Sequence, residues 1–175
     1  MTLLVLVYPE LSGQDYAQIQ EFRKQHDNLY YGVVEPHFTI VFAVSDWAVK
    51  PFIIEIQKQA QGLRPFDFCL RSATINKDAF NDFYHAFLVP DEGYSRIAKL
   101  HDRLYADKLF SHRRLDIDFI PHVGIGNSKD PQKCIEIAQS WNRKDFAIAG
   151  RVSVLDIVNY ENKTVRTLQQ ISLSN

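Results

Sequence analysis

The chain has 175 residues, enough for one domain or for two small lobes sharing a core. Hydrophobic residues make up 46% and charged residues 23%, which excludes a long disordered chain. A net charge of −1 leaves no basic footprint for non-specific binding to long nucleic acid, while a few local cations suffice for a small or end-bound phosphate.

From the N-terminus, "TLLVLVY" (2–8) reads as a buried strand; it lacks the basic region and cleavage site of a signal peptide. "SGQDYAQIQEFRKQH" opens with turn and cap residues and places Ile19 and Phe22 at helical spacing. "VVEPHFTIVFAV" (33–44) is β-rich, with Pro36 at its start or on an edge. In "SDWAVKPFIIEIQKQAQGL", Ser45 or Asp46 caps a turn, Pro51 suits a first helical position and Gly62 marks the stop. "PFDFCLRSATI" (65–75) is a strand, and the short polar "NKDAFND" (76–82) is no domain linker.

The same order then returns. "FYHAFLVP" (83–90) reads as a strand, and "DEGYSRIAKLHDRLYADKL" carries Ile97, Leu100, Leu104 and Lys108 at helical spacing. "LDIDFIPHVGIG" (115–126) is β-rich. "SKDPQKCIEIAQSWN" has Asp130 at the N-cap and Pro131 at the first helical position. "DFAIAGRVSVLDIVNY" (145–160) reads as one long strand, with "ENKT" as a hairpin turn into a last strand, "TVRTLQQISL".

Both halves therefore give strand, helix, His-containing strand, helix, strand. His37 and His122 lie 85 positions apart, Pro51 and Pro131 80 apart, and the two "DF" pairs 78 apart. This spacing points to an ancient duplication. The expected fold is α+β: a single domain over 1–175, bilobal and pseudo-twofold, with sequence repeats of roughly 1–78 and 79–175. Antiparallel sheets would line a central groove, with the helices outside.

"PHFTIV" (36–41) and "PHVGIG" (121–126) carry the chemistry. Residues two apart in a strand share a face, so His37 goes with Thr39 and His122 with Gly124. If the lobes pack by pseudo-symmetry, a groove would hold two imidazoles and one hydroxyl. That set suits phosphodiester chemistry without a metal. One neutral His takes a proton from the attacking oxygen and one protonated His gives a proton to the leaving oxygen. A Thr hydroxyl can donate to a non-bridging phosphate oxygen.

On these motifs the chain resembles the two-histidine (2H) phosphoesterase superfamily, the LigT-like or 2′-5′ RNA ligase-like proteins. That family carries one His-X-Thr/Ser-X motif per lobe. His37-Phe38-Thr39-Ile40 matches fully; His122-Val123-Gly124-Ile125 matches except at the hydroxyl. The resemblance implies a bilobal α+β body and a cofactor-free, metal-independent phosphodiesterase. Its substrates would be 2′,3′-cyclic phosphates or 2′-5′ linkages of RNA 3′ ends or small cyclic nucleotides, with ligation less favoured. It assigns His37 and His122 the acid and base roles and Thr39 a phosphate contact. The sequence leaves open which histidine is which. Gly124 supports an alternative: a catalytically weakened nucleotide- or RNA-end-binding module.

Further substrate-binding candidates are Tyr31, in the groove-edge stretch "LYYGVVEP", and Arg113 in the basic cluster "SHRRLD", with Arg114 as its alternative. Trp47, Trp141, Phe80, Phe83 and Tyr30 are the other surfaces on which a base could stack. His85 reads chiefly as a hydrogen-bonded structural residue, with Tyr84 on the opposite face. His26, His101 and His112 read as surface residues, and no histidine shows metal-ligand spacing with an acidic partner. Cys69 and Cys134 stand far apart, which suits a reducing cytoplasm, and no run reaches membrane-spanning length. A monomer is the default expectation.

Overall fold

The structure, a computed structural model, describes residues 1–174. Among these residues, nine strands and four helices follow in the order β1 (Thr2–Val7), β2 (Glu10–Leu11), α1 (Gly13–His26), β3 (Phe38–Val44), α2 (Val49–Ala60), β4 (Phe66–Lys77), β5 (Tyr84–Glu92), α3 (Tyr94–Leu104), β6 (Val123–Ser128), α4 (Pro131–Asn142), β7 (Ile148–Val152), β8 (Val154–Glu161) and β9 (Thr164–Ser172). Local chemistry sets the ends. Ser12 caps α1 by accepting from the Asp15 N–H, and Asp130 caps α4 by accepting from the Gln132 N–H, with Pro131 at the first position. Gly93, at φ 84°, turns the chain from β5 into α3, and Asn162 and Lys163 take positive φ in the two-residue β8–β9 turn.

The strands form two antiparallel sheets, ordered β3-β1-β8-β9 and β2-β7-β4-β5-β6. Their arrangement is pseudo-twofold: β3-β1-β8 corresponds to β6-β5-β4. The spatial sheets do not follow the sequence halves. The first half lends β4 to the β5-β6 pair, and the second lends β8 to the β1-β3 pair. The helices cross as well, α1 packing on β6 and α3 on β3. One continuous core results. Leu3, Val5 and Ile157 come from one sheet, Phe68, Leu88 and Ile125 from the other, and Ile19, Phe52, Ile97 and Trp141 from the helices.

Three expectations need correction. The stretch 145–160 is not one strand: Ser153 interrupts it, β7 joining one sheet and β8 the other. The β-rich stretches 33–44 and 115–126 become strand only from Phe38 and Val123, so both histidines stand one residue before a strand. The helix expected to include Lys108 ends at Leu104, and residues 107–112 form a separate 3-10 turn that starts at Asp107, which has φ 58°.

Candidate active site

A groove with a cavity of about 550 Å³ runs between the two sheets. Leu6, Thr39 and Val158 line it from one sheet, and His85, Phe87 and Gly124 from the other. His37 and His122 face it from the starts of β3 and β6. Pseudo-symmetry places each histidine at the start of the outer strand of its sheet, and the chain approach to each is a proline, Pro36 or Pro121.

The two imidazoles share one kind of anchor. His37 Nδ1 lies 2.7 Å from the Glu35 carbonyl oxygen, and His122 Nδ1 lies 2.5 Å from the Ile120 carbonyl oxygen. A carbonyl oxygen only accepts, so each Nδ1 carries the hydrogen and donates it. In the neutral ring the lone pair is then on Nε2, which has no protein partner among the described residues. Burial pushes both histidines down to about 4. The carbonyl contacts oppose that shift without cancelling it. The Arg23 charge lowers His37 further, and positive charge on His37 or His85 lowers His122. The groove therefore presents two neutral bases at neutral pH.

Thr39 lies two residues beyond His37 and lines the same cavity, while the corresponding position in β6 is Gly124, opposite Phe87. A Cβ built on Gly124 meets nothing within 4 Å. The neighbouring bulge falls at Ile125, between the Ala86–Gly126 and Phe87–Gly124 pairs. The tighter position is Gly126, where a Cβ would meet Ile137 Cγ2 at 3.0 Å and His26 Cβ at 3.1 Å, so those neighbours would have to give. No packing constraint accounts for the missing side chain at position 124.

A ladder of rings extends from the site. Phe87 stacks on His122 at 3.6 Å and 18°, His85 is near-parallel to Phe87 at 5.9 Å, and Tyr30 lies 6.2 Å beyond His85. Beneath them runs a buried polar chain. The Arg23 guanidinium pairs with Asp27 at 3.0 Å and donates to the Val34 carbonyl, and Asp27 accepts from Asn127 Nδ2. Arg23, Asp27 and Asn127 are at most 4% exposed. Sequence reasoning did not single out Phe87, Asp78, Arg23, Asp27 or Asn127. The i,i+4 spacing of Arg23 and Asp27 was visible, but the strand register that brings Asn127 to them was not.

Two candidates need reassignment. Tyr31 does not line the groove; it lies in a shallower adjoining recess with Tyr8 and Glu35, and Tyr30 takes the groove position. The turn after α1 sends consecutive side chains in different directions. Arg113 points away to Asp102, 2.6 Å distant, while Arg114 lines the groove, pairs with Asp116 and covers the Phe80 ring at 4.8 Å. Of the other aromatics, Trp141 is in the core, Trp47 packs on Phe52, and Phe83 lies under Lys129. His101 is buried, against the surface expectation, and donates from Nδ1 to the Ile40 carbonyl at 2.7 Å. His112 is half-buried and pairs with Asp46; His26 is half-buried against Phe22. Among the described residues no three His, Cys, Asp or Glu side chains converge as metal ligands, and no helix is long and apolar enough to cross a membrane.

The family profile described as the 2′-5′ RNA ligase superfamily matches residues 9–164. Solved structures share the fold over nearly the full length. TT0787 of Thermus thermophilus aligns at 16% identity and TM-score 0.64, covering 99% of this chain and 98% of its own. E. coli LigT, solved with 3′-AMP, aligns at 16% identity and TM-score 0.59 with the same coverage. Usb1 of Kluyveromyces marxianus aligns at 10% identity and TM-score 0.61, covering 98% and 97%. No curated protein matches in sequence.

Proposed function

The chain belongs to the 2′-5′ RNA ligase superfamily, and from that premise we propose that it is a metal-independent phosphodiesterase acting on a 2′,3′-cyclic phosphate or a 2′-5′ linkage, at an RNA 3′ end or on a small nucleotide. The observation that carries the reading is the pair of imidazoles in one groove, each anchored by Nδ1 to a carbonyl two residues back, with Nε2 unpartnered among the described residues. Structures of LigT with 3′-AMP, ATP and NADP+ support a small nucleotide as ligand.

The residues divide the chemistry as follows. A bound phosphodiester anion raises the proton affinity of the imidazoles, and one Nε2 takes up a proton. The other, still neutral, removes a proton from the attacking water as its oxygen bonds to phosphorus. The protonated Nε2 gives its hydrogen to the departing ribose oxygen, leaving a phosphate monoester. Thr39 donates to a non-bridging oxygen. His37→Ala and His122→Ala should each lower hydrolysis of a 2′,3′-cyclic nucleotide by about 10²–10⁴-fold without unfolding the protein. Full activity in either variant would overturn the assignment.

The open position above Gly124 favours a second reading, a binder of nucleotides or RNA ends with slow turnover. Titration with a cyclic nucleotide in EDTA separates the two: saturable binding without product over hours supports the binder, and turnover refutes it. Gly124→Thr adds the absent hydroxyl into empty space, so a large gain in rate would identify that donor as the limiting group.

A further inference from the structure

His85 stands in the groove two residues from Phe87 on β5, and its side chain is 11% exposed. Its Nε2 lies 3.0 Å from Asp78 Oδ2. Asp78 is itself fixed, since its Oδ1 accepts from the Phe80 N–H at 2.7 Å and the Asn81 N–H at 3.2 Å. Burial raises the Asp78 carboxyl, but these N–H donors and His85 outweigh it and hold the group below its ordinary value. An ionised carboxylate only accepts, so His85 Nε2 carries the hydrogen. In its neutral form the ring offers Nδ1 as an acceptor, and this nitrogen has no protein partner among the described residues.

The surroundings decide what Nδ1 receives. The cationic side chains of the groove are already paired, Arg23 with Asp27 and Arg114 with Asp116. Besides Asp27, which Arg23 neutralises, two carboxylates, Asp78 and Asp118, line the same cavity. A second phosphate would meet that negative charge. A neutral heterocycle bearing an N–H would not, and it would find the Tyr30 and Phe87 rings on either side of His85.

We propose that the His85–Asp78 pair reads the base of a nucleotide substrate, with His85 Nδ1 accepting a hydrogen bond from a base N–H while the phosphate lies between His37 and His122. The proposal rests on the phosphodiesterase reading for the position of the phosphate and narrows the substrate class to one that carries a nucleobase. His85 is here a specificity residue. It takes no part in the proton transfers.

Calorimetric binding of a nucleoside 3′-monophosphate and of ribose 3-phosphate tests this without requiring turnover. Wild type should bind the nucleotide at least tenfold tighter than the base-less phosphate. His85→Ala should reduce that ratio at least fivefold. Asp78→Asn is the sharper variant, because its Oδ1 can keep the turn while its Nδ2 donates to His85 Nε2. The His85 hydrogen then moves to Nδ1, a donor meets a donor, and the ratio should again collapse. Equal affinity of wild type for the two ligands, or a wild-type ratio in both folded variants, would overturn the proposal. Hydrolysis measured separately with His37→Ala distinguishes the outcomes. A wild type without base preference but with His37-dependent turnover refutes only the base site; a base preference without turnover refutes only the phosphodiesterase.

Discussion

Each catalytic candidate is a histidine whose backbone anchor leaves a lone pair in the groove, and whose burial keeps that lone pair free of protons down to about pH 4. A base is then always ready and the acid is scarce. On the proposed mechanism, kcat/KM reports the free protein and should fall about tenfold per pH unit between pH 5 and 8. Initial rates on a 2′,3′-cyclic nucleotide across that range check it, and a flat profile would contradict it. The same groups affect stability. Unfolded histidine binds its proton near 6.5 and these bind only near 4, so the unfolded chain holds more protons between those values. Their contribution is full above about pH 6.5 and is lost as pH falls toward 4. The urea midpoint should drop from pH 7 to pH 5, and drop less in the His37→Ala/His122→Ala double variant. At this scale the motif was legible because Pro-His-X-X-Ile occurs twice in the sequence. Tyr30 against Tyr31 and Arg114 against Arg113 were not, since one step along an irregular loop reverses the direction of a side chain and no periodicity fixes it.

Between elements, the exposed sides of the outer strands are closed by helices from the opposite half of the chain. The β3 backbone gives the Ile40 carbonyl to His101 and the Phe42 N–H to the Tyr105 hydroxyl, at 2.7 and 2.9 Å, both from α3 and its C-cap. These bonds satisfy groups that an edge strand would otherwise leave open. Tyr105→Phe leaves the Phe42 N–H without a partner and should cost about 1–3 kcal/mol in chemical denaturation. On the other sheet α1 lies against β6 so closely that Gly126 admits no Cβ without a shift. Gly126→Ala should cost about 1–3 kcal/mol, whereas Gly124→Ala should stay within about 0.5 kcal/mol. A difference near zero between the two would refute this account. The helices were legible from spacing and caps. The role of His101 was not, because its acceptor is 61 residues away in sequence.

For the whole molecule, the repeat predicted two similar units, and the antiparallel sheets and central groove follow that expectation. What the repeat could not convey is the exchange of third strands. Sequence similarity identifies equivalent segments but not which copy each one pairs with. The break at Ser153 was hidden for the same reason, because residues on both sides of it are β-formers. Residues 1–78 alone would leave β4 without β5 and β7, and β1 without β8. That fragment should show no cooperative melt by circular dichroism, and mixing it with 79–175 should restore one. A two-state transition in the isolated fragment would disprove the interdependence. The shared core bears on how a ligand gets in. Every strand pairing lies within one sheet, so a clamshell opening would spare the ladders but would part the single core that the sheets and helices share. The rim is held more lightly, by the exposed Phe80 ring under Arg114, so opening costs least there and the groove is a firm slot with a soft edge.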